Sequence, residues 1–151
     1  QACSRAPKCG GEYQAKISGP IFDRIDLAVF VPELSVHELT KSADAEPSAA
    51  VAARVLKARN IQRSRFLTIA GGDAFMTNSQ ASGKVLETIA PLDSESNEIL
   101  QKAAEKMRLS ARGYHRVVRV ARTLADLQGE VHINRLHIAE ALSFRPMRIA
   151  A

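Results

Sequence analysis

The chain has 151 residues, of which 46% are hydrophobic and 25% are charged. This composition excludes an intrinsically disordered chain and favours one domain, or one compact domain with the end of another. The formal charge of +5 favours acidic partners, either nucleic acid or nucleotide phosphates. The sequence contains no apolar run long enough to span a membrane and no charged-then-apolar leader, so we expect a cytoplasmic protein.

Residues 1–32 are predicted to be the C-terminal remnant of an α/β core. Leu27–Val31 is an apolar run that favours a buried strand, and Pro32 ends it. A buried strand must pair with others, yet every element predicted after Pro32 is helical. We therefore expect the rest of the sheet to lie upstream, in a longer protein of which this chain is a C-terminal fragment. A first residue that is Gln1 rather than methionine agrees with this expectation.

Residues 33–151 are predicted to form an α-helical domain, so the expected fold class is mainly α. The core must be aliphatic, because the chain has no Trp, two Tyr and five Phe. Residues 68–83 are rich in glycine, serine and asparagine and predict a long loop. Apolar spacing and capping residues predict helices at 35–39, about 48–66, 85–89, about 94–108, about 111–127, and from the cap Asn134 to about residue 145.

The helix predicted at about 48–66 carries both apolar and basic residues. The apolar side chains expected to face the core are Ala52, Val55, Leu56 and Phe66. The basic side chains expected on a solvated face are Arg54, Lys57, Arg63 and Arg65.

The machinery for ATP hydrolysis is missing from these residues. A phosphate-binding loop of the form G-x-x-x-x-G-K-[ST] does not occur, since Gly83-Lys84 lacks the earlier glycine and is followed by Val85. No apolar strand ends in adjacent acids that could hold Mg²⁺. We therefore predict that the chain by itself does not hydrolyse ATP.

The cysteines and histidines do not form a metal-binding pattern. Cys3 and Cys9 supply only half of the four ligands that a zinc site needs, so they are interpreted as free thiols. The histidines have no spacing typical of a metal site or a nucleophilic triad and are interpreted as surface or core residues. They are His37, His115, His132 and His137.

Two arginines are candidates for phosphate contacts. Arg24 directly precedes the predicted strand, and it could equally be an ion-pair partner of Asp23 or Asp26. Arg112 follows the predicted cap Ser110, in the first helical turn, where the helix dipole disfavours a cation unless an anion is bound. Residues 112, 116 and 119 share an arc of about 60° opposite the apolar stripe. A solvated basic face explains Arg116 and Arg119, so Arg116→Ala is expected to have little effect.

Two long segments resemble a known family. Residues 17–27 read ISGPIFDRIDL, and residues 109–127 contain LSARGYHRV followed by VARTLADL. In this order they resemble the magnesium-chelatase-like AAA+ ATPases of bacteria, specifically the ComM-type competence proteins. The resemblance extends from about Cys3 to Arg145.

The resemblance implies an ATPase ring, expected to be a hexamer, in which residues 33–151 form the helical lid of the ATPase domain. It implies that Arg24 is an arginine finger acting on the ATP of a neighbouring subunit and that Arg112 is the sensor-2 arginine. The implied cofactors of the intact protein are ATP and Mg²⁺. Members of the family tend to carry a further cysteine pair upstream of the one matched by Cys3 and Cys9, so the intact protein could also bind Zn²⁺. We expect no metal in this chain by itself. We also expect this chain by itself to be monomeric.

The function implied for the intact protein is remodelling of DNA, as a helicase-type motor, during competence and recombination. One alternative is the ATPase subunit of magnesium chelatase, which shares the fold and both arginines. The segment with Cys3 and Cys9 favours a ComM-type protein over this alternative. Another is a helical adaptor that binds protein or nucleic acid and hydrolyses nothing. A phosphate-binding loop upstream of Gln1 would exclude the adaptor.

Overall fold

The computed structural model describes residues 12, 16, 21, 24–36, 45–69 and 75–145 of the chain. Its regular elements are α1 (Ser48–Leu67), a short 3₁₀ helix (Asn78–Gln80), α2 (Gly83–Ile89), α3 (Ser94–Lys106), α4 (Ala111–Gln128) and α5 (Arg135–Ser143). Within these ranges the only β pairing is an isolated parallel bridge between Leu92 and Ile133. The predicted mainly α fold is confirmed.

The helix ends follow the capping residues. Asp93 accepts a hydrogen bond from the Ser96 amide at 2.7 Å and begins α3, while the Ser110 hydroxyl accepts one from the Gly113 amide at 3.0 Å and begins α4. Gly129 ends α4 in the left-handed conformation, with φ of 80°, which suits a residue without a Cβ atom. These helix positions were therefore predictable from local sequence.

Helix α4 lies at the centre of the bundle and contacts α5, α1 and the 3₁₀ helix, and α3 packs on α5. Its apolar stripe includes Val117, Ala121 and Ala125, all buried. Together with Leu100 of α3 and Ile138 of α5 these residues form one continuous core. This packing fixes the first turn of α4 relative to the rest of the domain.

Helix α1 is oriented differently from the sequence-based expectation. Ala58, Gln62 and Phe66 are buried, whereas Ala52 is exposed and Val55 and Leu56 are 46% and 61% exposed. Only the C-terminal half of the helix therefore packs on the bundle, and its N-terminal half extends beyond it. The prediction for Phe66 was right, and the prediction for Ala52, Val55 and Leu56 was wrong because apolar spacing does not reveal where a helix leaves the core.

The run Leu27–Val31, predicted to be a strand, has no regular secondary structure. Its side chains are mostly exposed, and Phe30 is 90% exposed. No strand with which the run could pair occurs in the described parts of the chain, so its backbone forms no ladder. Of the short helix predicted at 35–39, only Ser35 and Val36 are described, and residues 70–74 of the predicted loop also lie outside the described ranges.

Candidate functional site

The first turn of α4 presents a cation to the solvent. Arg112 is exposed, two residues after the cap Ser110, and the first turn of the helix contains no acidic residue. The positive end of the helix dipole therefore lies beside a guanidinium that is not offset by an acid within that turn. Free backbone amides and an arginine at one helix end are the groups that bind phosphate oxygens in proteins.

A second guanidinium approaches the same turn. Gly113 is buried, and a Cβ atom placed on it would lie 3.4 Å from Nη2 of Arg145. A Cβ atom at residue 113 would thus be in van der Waals contact with the end of Arg145. Arg145 was not among the candidates from sequence, because it lies beyond the end of α5 and reaches α4 only through the fold.

Arg24 lies on the surface in a turn. It is exposed, and its backbone amide donates a hydrogen bond to the Ile21 carbonyl at 2.9 Å. Two residues later, the Asp26 carboxylate lies 2.9 Å from Nε of Arg116, one turn after Arg112 on α4. The structure therefore joins the segment that carries Arg24 to the helix that carries Arg112.

Arg116 does not lie on a solvated face, contrary to the sequence-based interpretation. The side chain of Arg116 is only 12% exposed, whereas that of its partner Asp26 is 50% exposed. Nη1 of Arg116 is buried and has no hydrogen-bond partner among the described residues. Arg119 is also partly buried, and its Nη1 donates to the Ser79 carbonyl at 2.8 Å. The interpretation failed because long-range partners, residues 26 and 79, cover this side of α4. The expectation that Arg116→Ala has little effect rested on a solvated Arg116 and is therefore no longer supported.

A buried polar cluster joins α1, α4 and the 3₁₀ helix. Asp126 is fully buried and binds Arg65 through both carboxylate oxygens, with Arg65 Nη1 at 3.1 Å from Oδ2. Arg122 Nε donates to the same carboxylate at 3.1 Å, and the Asn78 side-chain amide donates to it at 2.8 Å. Arg65 was therefore wrongly expected on a solvated face. The i, i+4 spacing of Arg122 and Asp126 was the one local signal that could have pointed to this cluster.

Arg122 is held by backbone groups as well. Its Nη1 and Nη2 donate to the carbonyls of Val131 and Glu130, each at 2.7 Å. Burial lowers the pKa of the Arg122 guanidinium from its ordinary value, and the Asp126 carboxylate partly offsets that effect. Every described contact of this cluster is internal, so we assign it to stability rather than to ligand binding.

Comparison with known protein families gives two matches that together cover most of the chain. Residues 45–145 match the family described as magnesium chelatase, subunit ChlI C-terminal, and residues 1–39 match magnesium chelatase, subunit ChlI. The first match spans the helices whose geometry is given above. The chain belongs to the magnesium chelatase ChlI family.

Relatives of this ChlI-family chain occur in several bacteria. It is 41% identical over 136 residues to competence protein ComM of Haemophilus influenzae, which covers 89% of this chain. It is 35% identical over 145 residues to an uncharacterized protein of Mycobacterium tuberculosis and 32% identical over 134 residues to the uncharacterized protein YifB of Escherichia coli, covering 96% and 88% of this chain. The ChlI-family chain spans only 25% to 28% of the length of these relatives.

Metal ligands are not grouped in the described residues. No cluster of three or more histidine, cysteine, aspartate or glutamate side chains occurs there, and Cys3 and Cys9 lie outside the described ranges. No helix in those ranges is both long and apolar enough to cross a membrane.

His137 has a structural role in α5 of this ChlI-family chain. It is fully buried; its Nδ1 accepts a hydrogen bond from the Asn134 amide at 3.1 Å, and its Nε2 lies 2.9 Å from Gln128 Oε1. Burial, and secondarily the charge of Arg122, lowers the pKa of His137 below its ordinary value of 6.5. His137 is therefore a neutral capping residue in the core, one of the two places, surface or core, expected for the histidines.

Proposed function

We propose that this chain is the helical lid, with the end of the α/β core, of an AAA+ ATPase that works as a ring. In this proposal Arg112 is the sensor-2 arginine and contacts the phosphates of ATP bound by sequence upstream of this chain. Arg24 is the arginine finger and acts on ATP in the neighbouring subunit. Mg²⁺ would be held, as in other phosphoryl-transfer enzymes, with the nucleotide and not by residues of this chain.

The observation that carries the proposal is the placement of Arg112. Its guanidinium is exposed in the first turn of a capped 18-residue helix that has no acid in that turn. A bound phosphate would remove the unfavourable interaction between the cation and the helix dipole. Arginine suits this task because it is permanently charged and binds phosphate through a planar fork.

The exposure of Arg24 also supports the proposal. Arg24 is an exposed residue, as a residue that acts on a neighbouring subunit must be. An arginine acting in trans stabilises the charge that develops on phosphate oxygens in the transition state and contributes little to ground-state binding. Hydrolysis would then depend on ring assembly, and we propose a hexamer.

The substrate we propose is DNA, remodelled by a helicase-type motor during competence and recombination in the cytoplasm. The support is the 41% identity to competence protein ComM together with the net charge of +5. The family match favours a second candidate, the ATPase subunit of magnesium chelatase. Stimulation of ATP turnover by DNA in a full-length protein carrying this chain would favour the first; dependence on a porphyrin-metallating partner would favour the second.

Substitution of Arg24 tests the ATPase role. In a full-length protein, Arg24→Ala should leave the Kd for ATP nearly unchanged and lower kcat by a factor on the order of 10³ or more. Arg63→Ala, which removes an exposed arginine of α1, is the matched control and should leave both values unchanged. Wild-type turnover in Arg24→Ala, or an equal loss in Arg63→Ala, would refute the assignment. An absence of ATP binding and turnover in the intact protein would instead favour the adaptor.

A further inference from the structure

The segment that carries Arg24 contributes little apolar burial to the domain. Leu27, Val29 and Phe30 are 52%, 69% and 90% exposed. A cleft of about 360 Å³, lined by residues that include Leu27, Leu124 and Phe144, also separates this segment from α4. Because so little apolar area is removed from water, apolar packing alone gives weak control over where the segment lies.

Two polar contacts tie this segment to the helical bundle. The Ala28 amide donates a hydrogen bond to the Phe144 carbonyl at 2.8 Å. The Asp26 carboxylate lies 2.9 Å from Arg116 Nε. The backbone contact holds the segment near the end of α5, and the ion pair sets its position along α4.

The ion pair is better suited to positioning than an ordinary surface pair. Arg116 is held by packing, since its side chain is only 12% exposed, so it presents a fixed cation to Asp26. A partly desolvated pair is screened less by salt than an exposed one. The pair lies two residues from Arg24 and one helical turn from Arg112, so it links the neighbourhoods of the two arginines over a short distance along the chain.

We propose that Asp26 and Arg116 are positioning residues that couple the Arg24 segment to the Arg112 helix. This inference rests on the proposed function, because it concerns how the two arginines are placed for one reaction cycle. Neither Asp26 nor Arg116 need contact the nucleotide. Movement of α4 in response to the phosphate at Arg112 would move the Arg24 segment with it. The nucleotide bound to one subunit would thereby change the position of Arg24 relative to the ATP of the neighbouring subunit.

The test is a double-mutant cycle with Asp26→Asn and Arg116→Gln in a full-length protein carrying this chain. Asp26→Asn should lower kcat by about 10- to 100-fold, the range expected for a small misplacement of a catalytic group, and leave the Kd for ATP unchanged. In the Arg116→Gln background the same substitution should have no additional effect, because the pair is already broken. Glu95→Gln, which breaks the exposed pair with Arg135, is the matched control and should change nothing.

A second measurement is independent of nucleotide. Hydrogen–deuterium exchange in the peptide that contains residues 25–31 should be faster in Asp26→Asn than in wild type, because loss of the ion pair exposes the Ala28 amide. Unchanged exchange and turnover in Asp26→Asn would overturn the inference. The inference would also be overturned if Asp26→Asn lowered kcat equally in the wild-type and the Arg116→Gln background. If Arg24→Ala is active while exchange responds as expected, the coupling survives and the finger assignment fails, so the two ideas are separable.

Discussion

Arg65 and Asp126, 61 residues apart in the chain, form a bidentate ion pair between α1 and α4, and the Asp126 carboxylate is fully buried. The same carboxylate also binds Arg122 and Asn78. One carboxylate therefore pairs with two arginines at the place where α1 meets the rest of the bundle.

We predict that Asp126→Ala lowers the free energy of unfolding by about 3–5 kcal/mol, since it leaves Arg122 buried without its charge partner. The measurement is urea unfolding of the 151-residue chain followed by circular dichroism. Glu95→Ala, which removes the acid of an exposed pair with Arg135, should cost at most about 1 kcal/mol. Similar losses in the two variants would contradict the role assigned to the cluster.

We predict that the chain becomes less stable as the pH falls below about 6.5, and that His137 is a cause. The folded state holds His137 neutral with a lowered pKa, so the unfolded state binds more protons on acidification. The contribution is fully present above pH 6.5 and is lost as the pH falls towards the pKa of the folded state. The urea concentration at the midpoint of unfolding, measured between pH 7.5 and 5, should depend less steeply on pH in His137→Gln than in wild type.

The exposed His132 provides the control for this pH dependence. His132→Gln should keep the wild-type slope, because His132 lacks the burial to which the effect at His137 is assigned. An identical slope in His137→Gln and wild type would rule out His137 as the source.

Local sequence predicted much of the fold because the signals for helix ends are local. Asp93, Ser110 and Asn134 cap the helices that follow them, and Gly129 ends α4, as predicted. The mainly α class followed from the same patterns. The neutral cap formed by His137 was not predicted, although its position three residues after Asn134 fits a capping box.

The contacts of the buried cluster and of the candidate site could not be predicted in the same way. Arg65 and Arg116 looked like solvated charges because their partners, Asp126 and Asp26, are distant in sequence. Whether a basic residue on a helix is exposed depends on which element covers that face, and helical periodicity does not contain that information. Arg24 and Arg112 were singled out by a family resemblance and by one dipole argument; their roles remain predictions.

We predict that Arg112→Ala weakens ATP binding by a full-length protein and also slows turnover. A hydrogen bond to a charged group contributes about 1.5–3 kcal/mol, so the Kd for ATP should rise by roughly 10- to 150-fold. Fluorescence titration with a labelled ATP analogue measures this directly. Arg63→Ala is again the matched exposed control, and an unchanged Kd in Arg112→Ala would exclude a phosphate contact at this residue.

The proposal that Arg24 acts across a subunit boundary is tested most directly by mixing two inactive proteins. One is full-length Arg24→Ala, and the other has an intact Arg24 but a disabled phosphate-binding loop in its own upstream sequence. In a mixed ring, some interfaces bring an intact Arg24 to an intact nucleotide pocket, so ATP turnover of the mixture should exceed the sum of the two separate activities. A mixture no more active than that sum, under conditions where mixed rings are shown to form, would contradict the assignment of Arg24 as a finger acting in trans.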